Sequence, residues 1–186
     1  MDYKEIAERY GLTLLPLKQE SVAFMELNPP VKATELAPAR RGAEVIRHLR
    51  DREGFGHLVF LTAVDYPEKE QFRLSYMLHN YRESRDICLL IPLNRENPVM
   101  ESIHTLWAQG ATYQRELKEM FGIEFPGSPE LDRPFILEGW QDIPPMRRDF
   151  DTKEYSEKTY FPRPGRFTKD PERVMREALY PDGERR

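Results

Sequence analysis

Nine of the chain's sixteen prolines fall between Pro126 and Pro181, and this asymmetry limits the possible folds more than any other feature. Proline fixes φ, gives up its N–H and clashes with the preceding helical turn, so helix interiors and central strands exclude it. Regular structure is therefore expected up to about Ile123. The chain divides into a core domain, 1–123, and an extended Pro/aromatic-rich partner-binding segment, 124–186. That segment is no ordinary solvated linker, because it carries Phe125, Phe135, Trp140, Phe150, Tyr155, Tyr160, Phe161, Phe167 and Tyr180. At about 3.3–3.6 Å per extended residue, the part after Phe150 reaches on the order of 100 Å. Such a segment suits wrapping a neighbouring protein, with Tyr160 and Phe161 among spaced anchors. A tail folded back on its own domain is the other arrangement. A short helix from Pro171 to Leu179 is expected near the end.

The first two thirds carry the periodicities of helices and strands. Asp2 to Tyr10 reads as a short helix closed by Gly11, and Ser21 to Leu27 as a strand. Thr34 can cap a helix running to about Arg52, with Leu36, Val45, Ile46 and Leu49 on its buried face. Three strands are expected at His57 to Asp65, Gln71 to Asn80 and Asp86 to Leu93. The turns between them are too short for parallel crossovers, so they form an antiparallel meander. In the second, Phe72, Leu74, Tyr76 and Leu78 alternate with Arg73, Ser75, Met77 and His79, which buries one face. The expected fold class is α+β: a mostly antiparallel sheet with helices on one face, followed by the extended C-terminal tail.

Composition removes several function classes. The 186 residues are enough for one domain, and 39% hydrophobic with 32% charged residues describes a folded chain with a charged surface. A formal net charge of −4 with interspersed signs leaves no basic stripe for nucleic acid. The start, Met1 to Glu5, lacks an apolar stretch behind a basic flank, so no secretory signal is expected. The longest apolar run, near Leu58 to Val64, is far short of the roughly 20 residues that span a bilayer. One cysteine, Cys88, excludes an intramolecular disulfide and an all-cysteine metal or iron-sulfur site. The histidines 48, 57, 79 and 104 are scattered. Gly54-Phe55-Gly56 lacks the third glycine and the helix of a dinucleotide site. Glu101 and His104 have the three-residue spacing of di-iron bundles but no second copy.

Two charged clusters remain. Gln114 to Ile123 reads as a helix in which Arg115 and Glu119 are spaced for an ion pair, with Met120, Phe121 and Ile123 packing and Gly122 ending it. In Pro144-Pro145-Met146-Arg147-Arg148-Asp149-Phe150, two prolines stiffen a backbone that presents two guanidinium groups beside a carboxylate and an aromatic. This grouping suits protein–protein recognition.

These residues carry a family resemblance. Leu61 to Tyr66, Phe72 to Leu78, Arg115-Glu116 to Phe121-Gly122-Ile123, Trp140 and Arg147-Arg148-Asp149-Phe150 resemble, in order and spacing, the thirty-kilodalton subunit family of complex I. The resemblance implies a non-catalytic scaffold subunit in the hydrophilic arm of a membrane redox complex that couples electron transfer to ion translocation. It implies no cofactor in this chain and iron-sulfur clusters in neighbouring subunits. The implied partner is the large subunit that helps form the quinone site. Membrane contact would come only through partners, on the cytoplasmic face. The implied interface residues are Arg115, Glu116, Glu119, Phe121, Trp140, Arg147, Arg148, Asp149 and Phe150, continuing to Tyr160 and Phe161. The sequence departs from the respiratory pattern at Gln114, Glu119 and Ser128, where that pattern has Glu, Asp and His. Asp142 to Met146 also carries one extra residue. These departures resemble the membrane-bound hydrogenase and sulfur-reductase branch; the alternatives are the respiratory quinone-reducing version and a stand-alone enzyme using Glu116, Glu119 and His104.

Overall fold

A computed structural model describes residues 2–16, 21–28, 38–137 and 139–159, together with Arg173, Arg176 and Glu177. The first helix, α1 (Tyr3–Tyr10), begins where the Asp2 carboxylate accepts the Lys4 N–H at 3.0 Å and ends at Gly11 in the left-handed region. Strands β1 (Leu12–Leu14) and β2 (Val22–Leu27) follow, then α2 (Pro38–Asp51), whose expected cap at Thr34 lies outside the described residues. The meander is β3 (His57–Tyr66), β4 (Gln71–Asn80) and β5 (Arg85–Asn94), and α3 (Gly110–Phe121) comes after it. Of these, β1 was not expected.

The sheet order is β1-β2-β5-β4-β3. All neighbours are antiparallel except β2 and β5, which run parallel with Phe24 opposite Cys88. The fold is therefore α+β with a mixed five-stranded sheet. Its inward face, including Met25, Leu74, Tyr76 and Leu89, forms one core with Ile6 of α1, Ile46 and Leu49 of α2, and Leu117 and Phe121 of α3. Helix α2 lies close on β5 at Gly42, where an added Cβ would meet Ile91 Cδ1 at 2.6 Å. The outward face carries an apolar row across the strands, Phe24, Cys88, Met77 and Phe60.

The first compact unit runs through Arg148, well past the division expected after Ile123. Ile123 and Phe125 are fully buried. A bridge between Val99 and Glu124, with the Glu124 N–H donating to Pro98 O at 2.8 Å, ties this chain to the strand that leaves β5.

The second unit, residues 149–186, contains α4 (Thr152–Thr159) where extended chain was expected. No proline interrupts this stretch, and Asp151 caps it by accepting the N–H groups of Lys153 and Glu154 at 2.9 and 3.0 Å. The rings of Phe150 and Tyr155 lie 5.4 Å apart. Within the expected terminal helix, Arg173, Arg176 and Glu177 are helical; its other residues, and Tyr160, Phe161 and Phe167, lie outside the described residues.

Candidate functional site

Helix α3 ends at Gly122, whose φ of +77° lets the chain turn back sharply. The outer face of the helix then organises the segment that follows. The Glu119 carboxylate accepts three consecutive backbone N–H groups, from Phe135, Ile136 and Leu137, at 2.6, 2.9 and 3.0 Å. This is an anion nest whose occupant is a side chain of the same protein. Lys118, one residue back, reaches Glu124 at 3.0 Å and also pairs with Asp132. Burial works against its positive charge, but the bonds to these two carboxylates outweigh it and raise its pKa. Arg115, one turn earlier, lies over the Phe135 ring at 5.6 Å and pairs with Glu130 at 3.7 Å. Arg115 and Glu119 are thus committed to different parts of the loop and do not form the pair that their spacing allows. Arg115, Lys118, Glu119 and Asp132 line a cleft of about 250 Å³ with Leu131, Leu137 and Trp140.

The other end of the loop is fixed at the sheet. Asp65, buried on β3, accepts two hydrogen bonds from Arg95 at 2.8 and 3.0 Å and one from the backbone N–H of Arg148 at 2.9 Å. Burial pushes this carboxyl up, but the Arg95 bonds, the Arg148 N–H and the charges of Arg95 and Arg147 together bring it below the usual range. The Arg147 guanidinium lies over the Phe72 ring at 5.5 Å. The side chain of Arg148 points outward and meets Glu68 at 3.0 Å, both more than half exposed. The Met146 N–H donates to Met120 O at 3.0 Å, which closes the loop back onto α3.

The expected interface residues therefore divide by environment. Phe121 is a core residue packed edge-on against Phe72, with ring centroids 5.9 Å apart. Glu119 and Arg115 hold the loop of the first unit, and Arg147 lies over Phe72. Glu116 is half-buried and Arg148 faces solvent, while the Trp140 indole donates to Ile143 O at 3.0 Å. Asp149 and Phe150 fall in the second unit.

One polar cluster escaped sequence reading. Gln114, fully buried, accepts hydroxyl bonds from Ser102 and Ser128 at 2.7 and 2.8 Å, and Ser102 also meets His104 Nδ1 at 2.8 Å. Two of the positions that depart from the respiratory pattern are thus bonded to each other. His104 and Glu119 belong to separate hydrogen-bond networks. Among the described residues no group of His, Cys, Asp and Glu could hold a metal ion. Burial pushes the Cys88 thiol up to about 11, which suppresses a thiolate. No helix among the described residues is long and apolar enough to cross a membrane.

The family model for the 30 kDa subunit of respiratory-chain NADH dehydrogenase matches residues 36–156. A NADH-quinone oxidoreductase subunit from Moorella thermoacetica is 32% identical over 115 residues, which is 62% of this chain and 77% of that protein. The similar NADH-quinone oxidoreductase subunit from Parvibaculum lavamentivorans is 33% identical over 159 residues, 84% of this chain and 76% of the relative. An F(420)H(2) dehydrogenase subunit from Methanosarcina mazei is 26% identical over 137 residues, 71% and 84% of the two chains. Among solved structures, a chain of the membrane-bound sulfane sulfur reductase, an archaeal respiratory membrane complex, has the same fold. Its TM-score is 0.67 at 22% identity, covering 84% of this chain and 88% of that one.

Proposed function

The chain belongs to the family of the 30 kDa subunit of respiratory-chain NADH dehydrogenase, and on that premise we propose that it is a non-catalytic scaffold subunit of a complex I-type membrane redox assembly. It docks on the large subunit of the hydrophilic arm, and the chain beyond Arg148 clamps that partner so that redox centres in neighbouring subunits stay at fixed spacing. Iron-sulfur clusters belong to those neighbours, and attachment to the cytoplasmic face of the membrane runs through them. The supporting observation is how the signature residues are used. Asp65, Arg115, Glu119 and Arg147 all hold the 124–148 loop in place. Such a loop is preorganised for docking, which lowers the ordering cost of association.

The hydrogenase or sulfur-reductase branch is favoured by the neutral Gln114 and Ser128 pair in place of Glu and His. The respiratory quinone-reducing branch is supported by the 32% and 33% identities to NADH-quinone oxidoreductase subunits. Isolating the assembly through a tag on this chain tests both levels. Co-isolation of a cysteine-rich hydrogenase-like large subunit supports the first branch, and NADH-binding subunits support the second. The scaffold reading fails if the chain purifies alone from its host membranes, or if the purified chain turns over a redox substrate by itself.

A further inference from the structure

We infer that Ile136, Ile143 and Met146, on the crest of the 124–148 loop, form the docking surface for an apolar, uncharged face of another subunit; this rests on the scaffold reading above. The three residues are 66%, 40% and 56% exposed, while their neighbours Leu131 and Leu137 are tucked onto the core. All three gather around the C-terminal end of α3. Glu119 holds the backbone N–H of Ile136. Pro144, next to Ile143, lies against Gly122, where an added Cβ would be 3.3 Å from its Cγ. The Met146 N–H is bonded to Met120 O. Their positions are therefore fixed before a partner arrives. An isolated exposed apolar side chain needs no explanation, but three on one stapled loop mark a contact surface.

The charges around the patch define the occupant. Each charged side chain described on the loop has a partner within the chain: Glu130 with Arg115 and Arg133, Glu124 and Asp132 with Lys118, and Arg148 with Glu68. Asp142 accepts the Ile143 N–H at 2.8 Å, and Arg147 lies over Phe72. Among the described acidic residues of the loop Asp142 alone has no cation beside it, so a partner bringing negative charge here would meet no free counter-charge, and any charged partner would have to desolvate pairs that are already satisfied. An apolar partner surface incurs neither cost. The relatives are single subunits of larger enzymes, which points to a different subunit as the occupant.

The test isolates the assembly through a tag on this chain carrying Ile136→Asp or Met146→Asp, and quantifies the subunits retained. About tenfold less retention is expected from either variant, with the isolated chain melting as the wild type does. Retention by the wild type should be unchanged when salt rises from about 0.1 M to about 1 M. If an Asp variant melts lower, Ile136→Ser and Met146→Ser must show the same loss at the wild-type melting temperature. A photo-crosslinker at position 136 should label another subunit. Wild-type retention by both Asp variants overturns this docking surface and leaves the scaffold reading standing. Self-adducts, or dissociation of the wild type by salt, overturn the assigned occupant or its chemistry. A wild type that retains no subunits overturns the scaffold reading together with this one.

Discussion

Asp65 joins two parts of the molecule that are far apart in sequence. Its carboxylate serves Arg95 beyond β5 and the backbone of Arg148, and Arg147 adds a further cation nearby. Replacing it by Asn keeps the shape and removes the charge, which takes one counter-ion from the half-buried Arg95 and Arg147. Asp65→Asn should cost about 3 kcal/mol of stability in denaturant unfolding. Asp65 has a depressed folded pKa, so its contribution is present above the unfolded carboxyl pKa and is lost as pH falls through the folded value. The gap between wild type and Asp65→Asn should therefore close below about pH 4; an equal gap at acid and neutral pH would assign the cost to packing. Gln114 poses the opposite case. Gln114→Glu retains an oxygen for both serine hydroxyls but places a second oxygen in a fully buried site. Desolvation would raise the pKa of that carboxyl, so the variant should approach wild-type stability at acid pH and lose ground as pH rises. A pH-independent melting difference would show that the site takes up water or another donor.

At the scale of elements, α3 acts through its polar face, whose Arg115 and Glu119 hold the loop that follows rather than each other. Glu119→Ala removes the acceptor from three backbone N–H groups at once and should cost about 1–3 kcal/mol. Hydrogen exchange should accelerate at residues 135–137 while the amides of β4 stay protected; uniform acceleration across the sheet would mean that the nest supports the whole core. The meander was legible because alternation is clean in β4 and the turns joining the three strands are too short for crossovers, although β5 is buried on both faces from Ile87 to Ile91. The strand β1 was not, because three residues carry too little periodicity. The parallel pairing of β2 with β5 has no local signal either, since the partners are some sixty residues apart, as for Ala23 and Ile87. That the first unit runs on past Ile123 to Arg148 has a related reason. The described residues of 124–148 hold no helix or named strand, but the absence of regular structure does not imply an open chain. Charged side chains on α3 replace the backbone ladder there, and no spacing rule announces them. Of the interface residues named from the resemblance, the sequence could not separate Arg147, which lies over a core ring, from Arg148, which faces solvent.

At the scale of the whole molecule, the described hydrophobic core lies entirely between Tyr3 and Phe125, with Leu131 and Leu137 packed against it. The loop that follows is closed at Arg148, and the second unit begins with the next residue. Folding of the first unit should therefore not depend on the second. Helix α4 has eight residues, below the roughly 12–15 at which an isolated helix becomes even marginal in water, so its stability must come from packing. If the second unit serves as the clamp, a chain ending at Arg148 should lose less than about 1 kcal/mol, a shift of about 2–4 °C in melting temperature. The same truncation should abolish recovery of the assembly through a tag on this chain, because a chelating second contact raises retention by about 10²–10⁴ without new strength in either site alone. Two outcomes would sink the clamp. Collapse of the truncated chain would make residues 149–186 part of the fold. Normal assembly by a folded 1–148 chain would place all of the docking on the first unit, where the loop stapled to α3 would have to carry it alone.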